Sequence, residues 1–172
     1  MAKVRENAPE FKLKGILNEQ IRDYSISEYK GKWTVLYFYP LDFTFVCPTE
    51  VVEFSKRYDE FSKLNAEVLG VSVDSVHSHK EWIKQIGGLK HPLLSDFNKE
   101  VSKRYDVLLE PEGIALRAVF IINPEGIIKY HLVHDLAVGR SVEEVLRVLK
   151  ALQTGELCPV GWTPGKQTLG KA

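Results

Sequence analysis

This sequence of 172 residues contains few cysteines and methionines and has no net charge. The chain has two cysteines and one methionine, and its 23 Lys and Arg residues balance 23 Asp and Glu residues. Zero net charge predicts no long-range attraction to nucleic acid or to anionic membranes. No apolar run approaches the ~20 residues that span a bilayer, and the first residues lack the apolar core of a signal peptide. We therefore expect a cytoplasmic protein with neither a membrane nor a nucleic-acid partner.

The two cysteines, Cys47 and Cys158, lie far apart in the sequence and form no CxxC pair. Two cysteines are too few for the disulfide scaffold of a small secreted domain. In a reducing compartment they indicate either inert core residues or transient redox chemistry. The missing CxxC pair counts against a thiol–disulfide oxidoreductase, because that chemistry needs the second thiol in the same turn.

Hydrophobic periodicity predicts an α/β fold with a mixed central sheet and helices on both of its faces. An N-terminal hairpin should lie within residues 8–26. Strand-like runs at 33–39 and 66–73 flank a helical pattern that begins at Pro48 and continues to Leu64. A strand, a helix and a second strand in this order describe a βαβ unit with parallel strands.

Two shorter helices are expected after this unit. Asp74 or Ser75 should cap the first, and the pair Gly87-Gly88 should end it. Asp96 should cap the second. Each expectation depends on a side chain or backbone that satisfies the free polar groups at a helix end.

The remainder of the chain predicts antiparallel strands, one helix and a tail. Residues 118–133 should form a hairpin around an Asn-Pro-Glu-Gly turn. Ser141 and Glu144 have the spacing of a capping box at the start of a helix. From Thr154 the chain is rich in Gly and Pro, so residues 154–172 should be an irregular C-terminal tail. We expect one domain over residues 1–172.

Cys47 stands between the end of a predicted strand and the start of a predicted helix. A thiol there meets unpaired backbone N–H groups and the positive end of the helix dipole, and both favour the thiolate. The alternative is an inert buried thiol, which is common for a free cysteine. Thr44, three residues earlier, carries a hydroxyl that can donate to a thiolate or to a bound oxygen, although it can equally serve a turn.

The histidines raise the question of a metal site. His77 and His79 form a His-Xaa-His pair, and His131 and His134 lie three residues apart. Such spacings occur among zinc ligands. No nearby cysteine or carboxylate completes either set, so we expect solvent-facing histidines and no bound metal.

The segment Pro40–Glu50, PLDFTFVCPTE, contains the pattern Pro-Xaa3-Thr-Xaa2-Cys. It resembles the active-site signature of the peroxiredoxins, in particular the typical two-cysteine branch that includes the alkyl hydroperoxide reductases and thioredoxin peroxidases. The resemblance extends over essentially the whole chain, through Trp82, LRAVFIIN at 116–123, VGRS at 138–141 and GELCP at 155–159. It implies a thioredoxin-like fold and a peroxidase that reduces hydrogen peroxide and organic hydroperoxides without a cofactor.

The resemblance also implies roles for individual residues. Cys47 would be the peroxidatic cysteine, which attacks the peroxide as a thiolate and becomes a sulfenic acid. Thr44 and Arg117 would hydrogen-bond the thiolate and the peroxide, and Arg117 would polarise the O–O bond. Pro40 would shield the pocket from water. These roles suit the reaction, because fixed donors along the line of charge transfer favour its transition state.

Glu50 and Arg140 resemble the family residues that orient Arg117. The residues alone leave other interpretations open, since an arginine is most often in a surface ion pair and Glu50 could be a first-turn carboxylate favoured by the helix dipole. The apolar run 118–122 that follows Arg117 favours a place at the start of a core strand.

Cys158 resembles the resolving cysteine, which condenses with the sulfenic acid of Cys47 to give an intersubunit disulfide. The resemblance thus implies a homodimer, with a ring of dimers such as a decamer, and reduction by thioredoxin, a flavoprotein disulfide reductase or a glutaredoxin-like protein. The helix at Cys47 must unwind locally, because a disulfide needs its Cβ atoms within about 4.5 Å. A chaperone or structural ring is the alternative from another class, but it leaves Thr44, Cys47 and Arg117 unexplained.

The sequence departs from easily over-oxidised relatives at two places. It reads Gly87-Gly88-Leu89-Lys90 where those relatives have Gly-Gly-Leu-Gly, and no Tyr-Phe pair follows Cys158. We expect a Cys47 segment that unfolds readily and resists sulfinic acid formation.

Overall fold

Over residues 2–172, which the computed structural model describes, the chain forms nine strands and five α-helices. The strands are β1 (Lys12–Leu17), β2 (Gln20–Ser25), β3 (Trp33–Phe38), β4 (Ala66–Ser72), β5 (Leu93–Ser95), β6 (Leu108–Leu109), β7 (Ile114–Ala115), β8 (Arg117–Ile122) and β9 (Ile128–His134). The helices are α1 (Cys47–Lys56), α2 (Tyr58–Lys63), α3 (Val76–Gln85), α4 (Glu100–Arg104) and α5 (Val142–Gln153), with a short 3-10 helix at Ile26–Tyr29.

Seven strands form one mixed sheet in the order β2-β1-β5-β4-β3-β8-β9, and β6 pairs separately with β7. Strands β3, β4 and β5 run parallel, whereas β8 pairs antiparallel with both β3 and β9. The crossover from β3 to β4 passes through α1 and α2, which confirms the predicted βαβ unit. The N-terminal and C-terminal hairpins, β1–β2 and β8–β9, are confirmed as well.

Alternate residues of β3 face opposite sides of the sheet, and helices cover both sides. Phe38 packs on one face with Phe120 and with Tyr105, which directly follows α4. Tyr37 points to the other face and stacks on Phe54 of α1, with ring centroids 4.4 Å apart. Both faces of β3 are therefore apolar and buried, which explains the uninterrupted hydrophobic run of this strand.

The two-residue turn between β1 and β2 explains why the first hairpin forms here. Asn18 and Glu19 have φ angles of 50° and 63°, the left-handed conformation that a tight hairpin turn requires. Gly15 lies within β1 instead, where a Cβ atom would collide with side chains of Leu94 and Tyr24. The predicted hairpin is correct, and its glycine serves close packing.

The predicted ends of helices α3 and α4 are confirmed in part. Ser75 caps α3 by accepting the Ser78 N–H at 3.1 Å, and α3 ends before Gly87 and Gly88, whose φ angles are near 90°. Asp96 caps α4 from outside the helix: its carboxylate accepts the N–H groups of Val101 and Ser102, whereas Lys99 occupies the cap position.

One predicted helix is two helices in the structure. The apolar spacing from Pro48 to Leu64 continues without a gap, but Arg57 has φ −95° and ψ 8° and separates α1 from α2. The guanidinium of Arg57 is 2.8 Å from Glu60, three residues ahead. The prediction of a single helix is therefore wrong, because periodicity does not record the backbone angles of one residue.

Packing of Cα atoms divides the chain into a unit that ends at Arg140 and a second unit, Ser141–Ala172. In the second unit Ser141 accepts the Glu144 N–H at 3.1 Å, but the Glu144 carboxylate pairs with Arg147. Only half of the predicted capping box thus forms. Residues 154–172 contain neither helix nor strand, and Arg147 donates to the Trp162 carbonyl at 2.7 Å within this unit.

Among the described residues, no helix is both long and apolar enough to cross a bilayer.

Candidate active site

The loop that follows β3 delivers Cys47 to the N-terminus of α1. Cys47 is the first residue of α1, and its side chain is completely buried. Pro48 occupies the first turn, where its missing N–H leaves no hydrogen bond unmade. The sulfur therefore lies at the positive end of a ten-residue helix, as the sequence predicted.

Arg117 brings a buried positive charge to the sulfur. It is the first residue of β8, it is 4% exposed, and its Nη1 donates to the Sγ of Cys47 at 3.3 Å. Its Nε donates to the carbonyl of Leu136 at 2.7 Å, which fixes the plane of the guanidinium. The surface ion pair considered for Arg117 is thus wrong, because this side chain lies inside the protein.

Glu50, one turn after Cys47 on α1, connects Arg117 to a second arginine. Its Oε2 accepts from Arg117 Nη1 at 2.7 Å and from Arg140 Nη2 at 2.9 Å. Its Oε1 accepts from the Nε of Arg140 at 2.8 Å and from the backbone N–H of Arg140 at 2.7 Å. Two guanidinium groups and one carboxylate leave one net positive charge near the sulfur.

Arg140 is itself fixed to the sheet. Its Nη1 donates to the carbonyls of Phe38 and Ala118 at 2.6 Å and 2.5 Å, at the adjacent ends of β3 and β8. Burial alone would raise the pKa of Glu50, but the hydrogen bonds and charge of Arg140, followed by the charge of Arg117, outweigh it and hold that pKa below its ordinary value. Glu50 is therefore ionised at neutral pH.

Thr44 and Pro40 lie in the loop before Cys47. Pro40 is buried, and Thr44 is half-buried. The Thr44 hydroxyl donates to the carbonyl of Leu41 at 2.9 Å, and within residues 2–172 it makes no hydrogen bond to Cys47. This differs from the expected donation to the thiolate, because the single hydroxyl hydrogen is given to the carbonyl three residues back.

Cys158 lies in the irregular tail, in the second unit. It is half-buried, and its Sγ is 3.6 Å from the Thr154 hydroxyl and 3.8 Å from the carbonyls of Ala151 and Glu156. All three of these hydrogen-bond neighbours are oxygen atoms. Both cysteines are free in this structure.

A buried polar cluster beneath the loop was missed by the sequence reasoning. The expected solvent exposure of His79 is wrong, since its ring is fully buried with Nδ1 2.7 Å from Asp42 Oδ2 and Nε2 3.0 Å from the Leu94 carbonyl. The available signal was its spacing, because His79 lies midway between Val76 and Trp82 on the buried face of α3.

The other histidines differ among themselves. His77 and His131 are exposed and His134 is half-buried. His91 is buried, and burial lowers its pKa to about 3, so it is neutral. Across residues 2–172, no three His, Cys, Asp or Glu side chains gather as they would around a metal ion.

A buried thiol that faces a guanidinium at a helix N-terminus, beside parallel strands of a mixed sheet, defines a thiol-dependent oxidoreductase of thioredoxin-like fold. The model of the AhpC/TSA family matches residues 4–131. The chain is 52% identical over 176 residues to human mitochondrial thioredoxin-dependent peroxide reductase, in an alignment that covers 96% of this chain and 69% of the human protein.

Solved structures agree with this similarity. The reduced 2-Cys peroxiredoxin of Plasmodium vivax matches with a TM-score of 0.93 and 42% identity, over 96% of this chain and 91% of that one. AhpC of Mycobacterium bovis matches with a TM-score of 0.85 and 38% identity, over 94% and 98%. The chain belongs to the AhpC/TSA family and is a typical two-cysteine peroxiredoxin. It is an antioxidant enzyme that reduces peroxides, which confirms the predicted function and fold.

Proposed function

We propose that Cys47 is the peroxidatic cysteine and that Arg117 is its catalytic partner. The observation that carries this assignment is the 3.3 Å hydrogen bond from Arg117 Nη1 to the buried Sγ. In the first step the thiolate attacks one oxygen of the hydroperoxide, an S–O bond forms and the O–O bond breaks. Sulfur loses two electrons and becomes a sulfenic acid, and the departing oxygen takes up a proton to leave as an alcohol or water.

The guanidinium of Arg117 can follow the charge through this step. Its Nη1 is shared between the sulfur and Glu50, whereas within residues 2–172 its Nη2 makes no hydrogen bond. Nη2 is therefore free to donate to a peroxide oxygen as negative charge moves from sulfur to oxygen. A donor that is already in place stabilises the transition state more than the reactants, with about 1.4 kcal/mol for each tenfold in rate.

Thr44 and Pro40 complete the pocket in this proposal. Because the Thr44 hydroxyl donates to Leu41, the lone pairs of its oxygen can accept a hydrogen bond from the O–H group of the hydroperoxide. That hydrogen bond would orient the O–H oxygen of the hydroperoxide toward the thiolate. Buried Pro40 would keep water from the sulfenic acid. Glu50 and Arg140 would hold Arg117 in place through the contacts described above.

Cys158 serves as the resolving cysteine in the second step. Its thiol condenses with the Cys47 sulfenic acid, a disulfide forms and water leaves. We propose an intersubunit disulfide in a homodimer, with dimers assembled as a decameric ring. Two electrons from a dithiol then restore both thiols. The name of the human relative, a thioredoxin-dependent peroxide reductase, supports a thioredoxin-type electron donor. A flavoprotein disulfide reductase is the alternative donor. A reducing cytoplasm would suit this cycle.

The test is peroxide consumption with a dithiol reductant by the wild type, Cys47→Ser and Cys158→Ser. We expect no activity from Cys47→Ser. Before the reductant is added, Cys158→Ser should consume one equivalent of peroxide per chain, and it should give no disulfide-linked dimer on non-reducing gels. Peroxidase activity retained by Cys47→Ser would refute the assignment.

A further inference from the structure

The segment from Phe43 to Thr49, which carries Cys47, is held between two buried charged anchors. Upstream, Asp42 is hydrogen-bonded to α3 and to the loop after β4, and downstream Glu50 is bonded to Arg117 and Arg140. Apart from the backbone bonds of α1 itself, and within residues 2–172, the only hydrogen bond from segment 43–49 to the chain outside 41–50 is the one between Cys47 and Arg117. The segment is thus tied at its ends and nearly free between them.

The upstream anchor gathers several donors on one carboxylate. Tyr39 donates its hydroxyl to Asp42 Oδ1 at 2.8 Å. Ser78 donates its hydroxyl to Oδ2 at 2.8 Å, and His79 Nδ1 is 2.7 Å from the same oxygen. The backbone N–H of Asp42 donates to Asp74 Oδ2 at 2.9 Å. Both side chains of the Asp42–His79 pair are completely buried.

The surrounding hydrogen bonds fix the position of this pair. The carboxyl group of Asp42 accepts from the hydroxyl groups of Tyr39 and Ser78. The ring of His79 lies between two oxygen atoms, Asp42 Oδ2 at Nδ1 and the Leu94 carbonyl at Nε2. His79 thus connects Asp42 to β5, and this buried contact is costly to break because neither partner can replace it with water.

We propose that the His79–Asp42 pair is the upstream boundary of local unfolding at Cys47, with His79 as a positioning residue of the peroxidase cycle. Residues 43–49 leave their folded position when Cys47 meets Cys158, while Asp42 and the chain before it stay in place. The part that concerns the cycle rests on the proposed function, whereas the boundary itself is a property of the reduced protein.

Backbone strain lies immediately past this boundary. Phe43 has φ 56°, a left-handed conformation that is unfavourable for a bulky residue. Its ring is 55% exposed, and its centroid is 6.4 Å from that of Trp82, so packing compensates little of that cost. The anchor at Asp42 holds the strained residue in the folded loop, and unfolding of 43–49 releases the strain.

Amide hydrogen exchange of the reduced, full-length protein tests the boundary directly. In the wild type the Thr49 N–H, bonded to the Val46 carbonyl, should exchange through a local opening. The Asp42 N–H should be protected to the level of the Tyr39 N–H, which bonds to Val71 in the sheet. His79→Gln keeps a donor for Leu94 but none for Asp42, and it should lower protection at Asp42 by roughly tenfold or more.

Matched variants distinguish the loss of the His79–Asp42 hydrogen bond from other effects of a substitution on α3. His79→Asn retains a donor near the Nδ1 position and should preserve most of the protection at Asp42. His77→Gln changes an exposed histidine two residues away on α3 and should have no effect. If His79→Gln does not fold, Ser78→Ala removes another Asp42 donor from a helix surface and should lower protection several-fold. Joint exchange of Asp42 and Thr49 in the wild type would overturn the boundary, as would equal protection in His79→Gln and His77→Gln.

The catalytic readout is the fate of the sulfenic acid. With the boundary loosened, His79→Gln should give less sulfinic acid per turnover, because Cys47 reaches Cys158 sooner. It should also have a lower kcat/KM for peroxide, because Thr44 is held less firmly. A sulfinic acid yield unchanged from the wild type would refute the positioning role. Absence of peroxide consumption in the wild type would refute the proposed function and leave the exchange result standing.

Discussion

The two cysteines occupy opposite electrostatic surroundings. Cys47 is fully buried, begins a helix and faces the Arg117 guanidinium at 3.3 Å. Cys158 is half-buried, and within residues 2–172 its hydrogen-bond neighbours are oxygen atoms of Thr154, Ala151 and Glu156. A cation stabilises S⁻ and oxygen acceptors stabilise S–H, so the difference in surroundings fits the different roles proposed for the two thiols.

The largest expected effect comes from removal of the cation at Cys47. Arg117→Met keeps the length of the side chain and loses its charge and donors. We expect kcat/KM for hydrogen peroxide to fall by about 10³ or more, the scale for losing a donor that stabilises transition-state charge. Stopped-flow peroxide kinetics measure this, with exposed Arg104→Met as the control. A loss below tenfold would show that the helix terminus alone activates Cys47.

Removal of the carboxylate between the arginines should chiefly affect stability. Glu50→Gln leaves two guanidinium groups buried without their counter-charge, at a cost of about 3–5 kcal/mol in the free energy of unfolding. Urea denaturation of the reduced protein measures this, and Glu53→Gln on the same helix is the control. Equal stability of the two variants would mean that water or rearrangement compensates the arginines.

Lowering the pH should reduce the difference in unfolding free energy between the wild type and Glu50→Gln. The pKa of folded Glu50 lies below the ordinary 4.5, so the unfolded state binds the proton more readily than the folded state. The contribution of Glu50 is therefore complete above about pH 4.5 and is lost as pH falls through the lower, folded pKa. Denaturation curves of wild type and Glu50→Gln should converge below pH 4.5. Curves that stay parallel down to acid unfolding would contradict the assigned charge.

The smallest effect is expected at Cys158. Thr154→Ala removes the hydroxyl oxygen 3.6 Å from Sγ, which accepts from the thiol while its own hydrogen goes to Ala151. Alkylation of Cys158 at neutral pH should become faster by about two- to threefold, the effect of one weak hydrogen bond. Labelling followed by peptide mass spectrometry measures the rate, with exposed Thr163→Ala as the control. Slower alkylation would contradict a thiol stabilised by acceptors.

Local patterns predicted the architecture well, because β3, β4 and both hairpins are recorded in short stretches of sequence. The turn at Asn123 is an example, since its own side chain accepts the Ile127 N–H at 2.8 Å. Arg57 shows where local pattern fails. Its break in the helix is a matter of backbone angles at one residue, and the apolar spacing passes over it unchanged.

The active site needed more than local pattern. The position of Cys47 at a helix start followed from periodicity, but the pairing of Glu50 with Arg117 joins residues 67 positions apart and came from family resemblance. The contact between His79 and Asp42 spans 37 positions, and nothing in the sequence marks those two residues as partners. The orientation of the Thr44 hydroxyl depends on a single torsion, which only coordinates reveal.

Glu50 uses all the acceptor sites of its carboxylate, with four N–H donors from Arg117 and Arg140. A carboxylate held at every lone pair cannot rotate without breaking a bond, so the guanidinium group of Arg117 is held in one position. The entropic cost of ordering these groups is met when the protein folds, so substrate binding does not add it to the activation barrier. Warming should therefore leave the arginines aligned, and the logarithm of the oxidation rate should stay linear in inverse temperature until segment 43–49 opens.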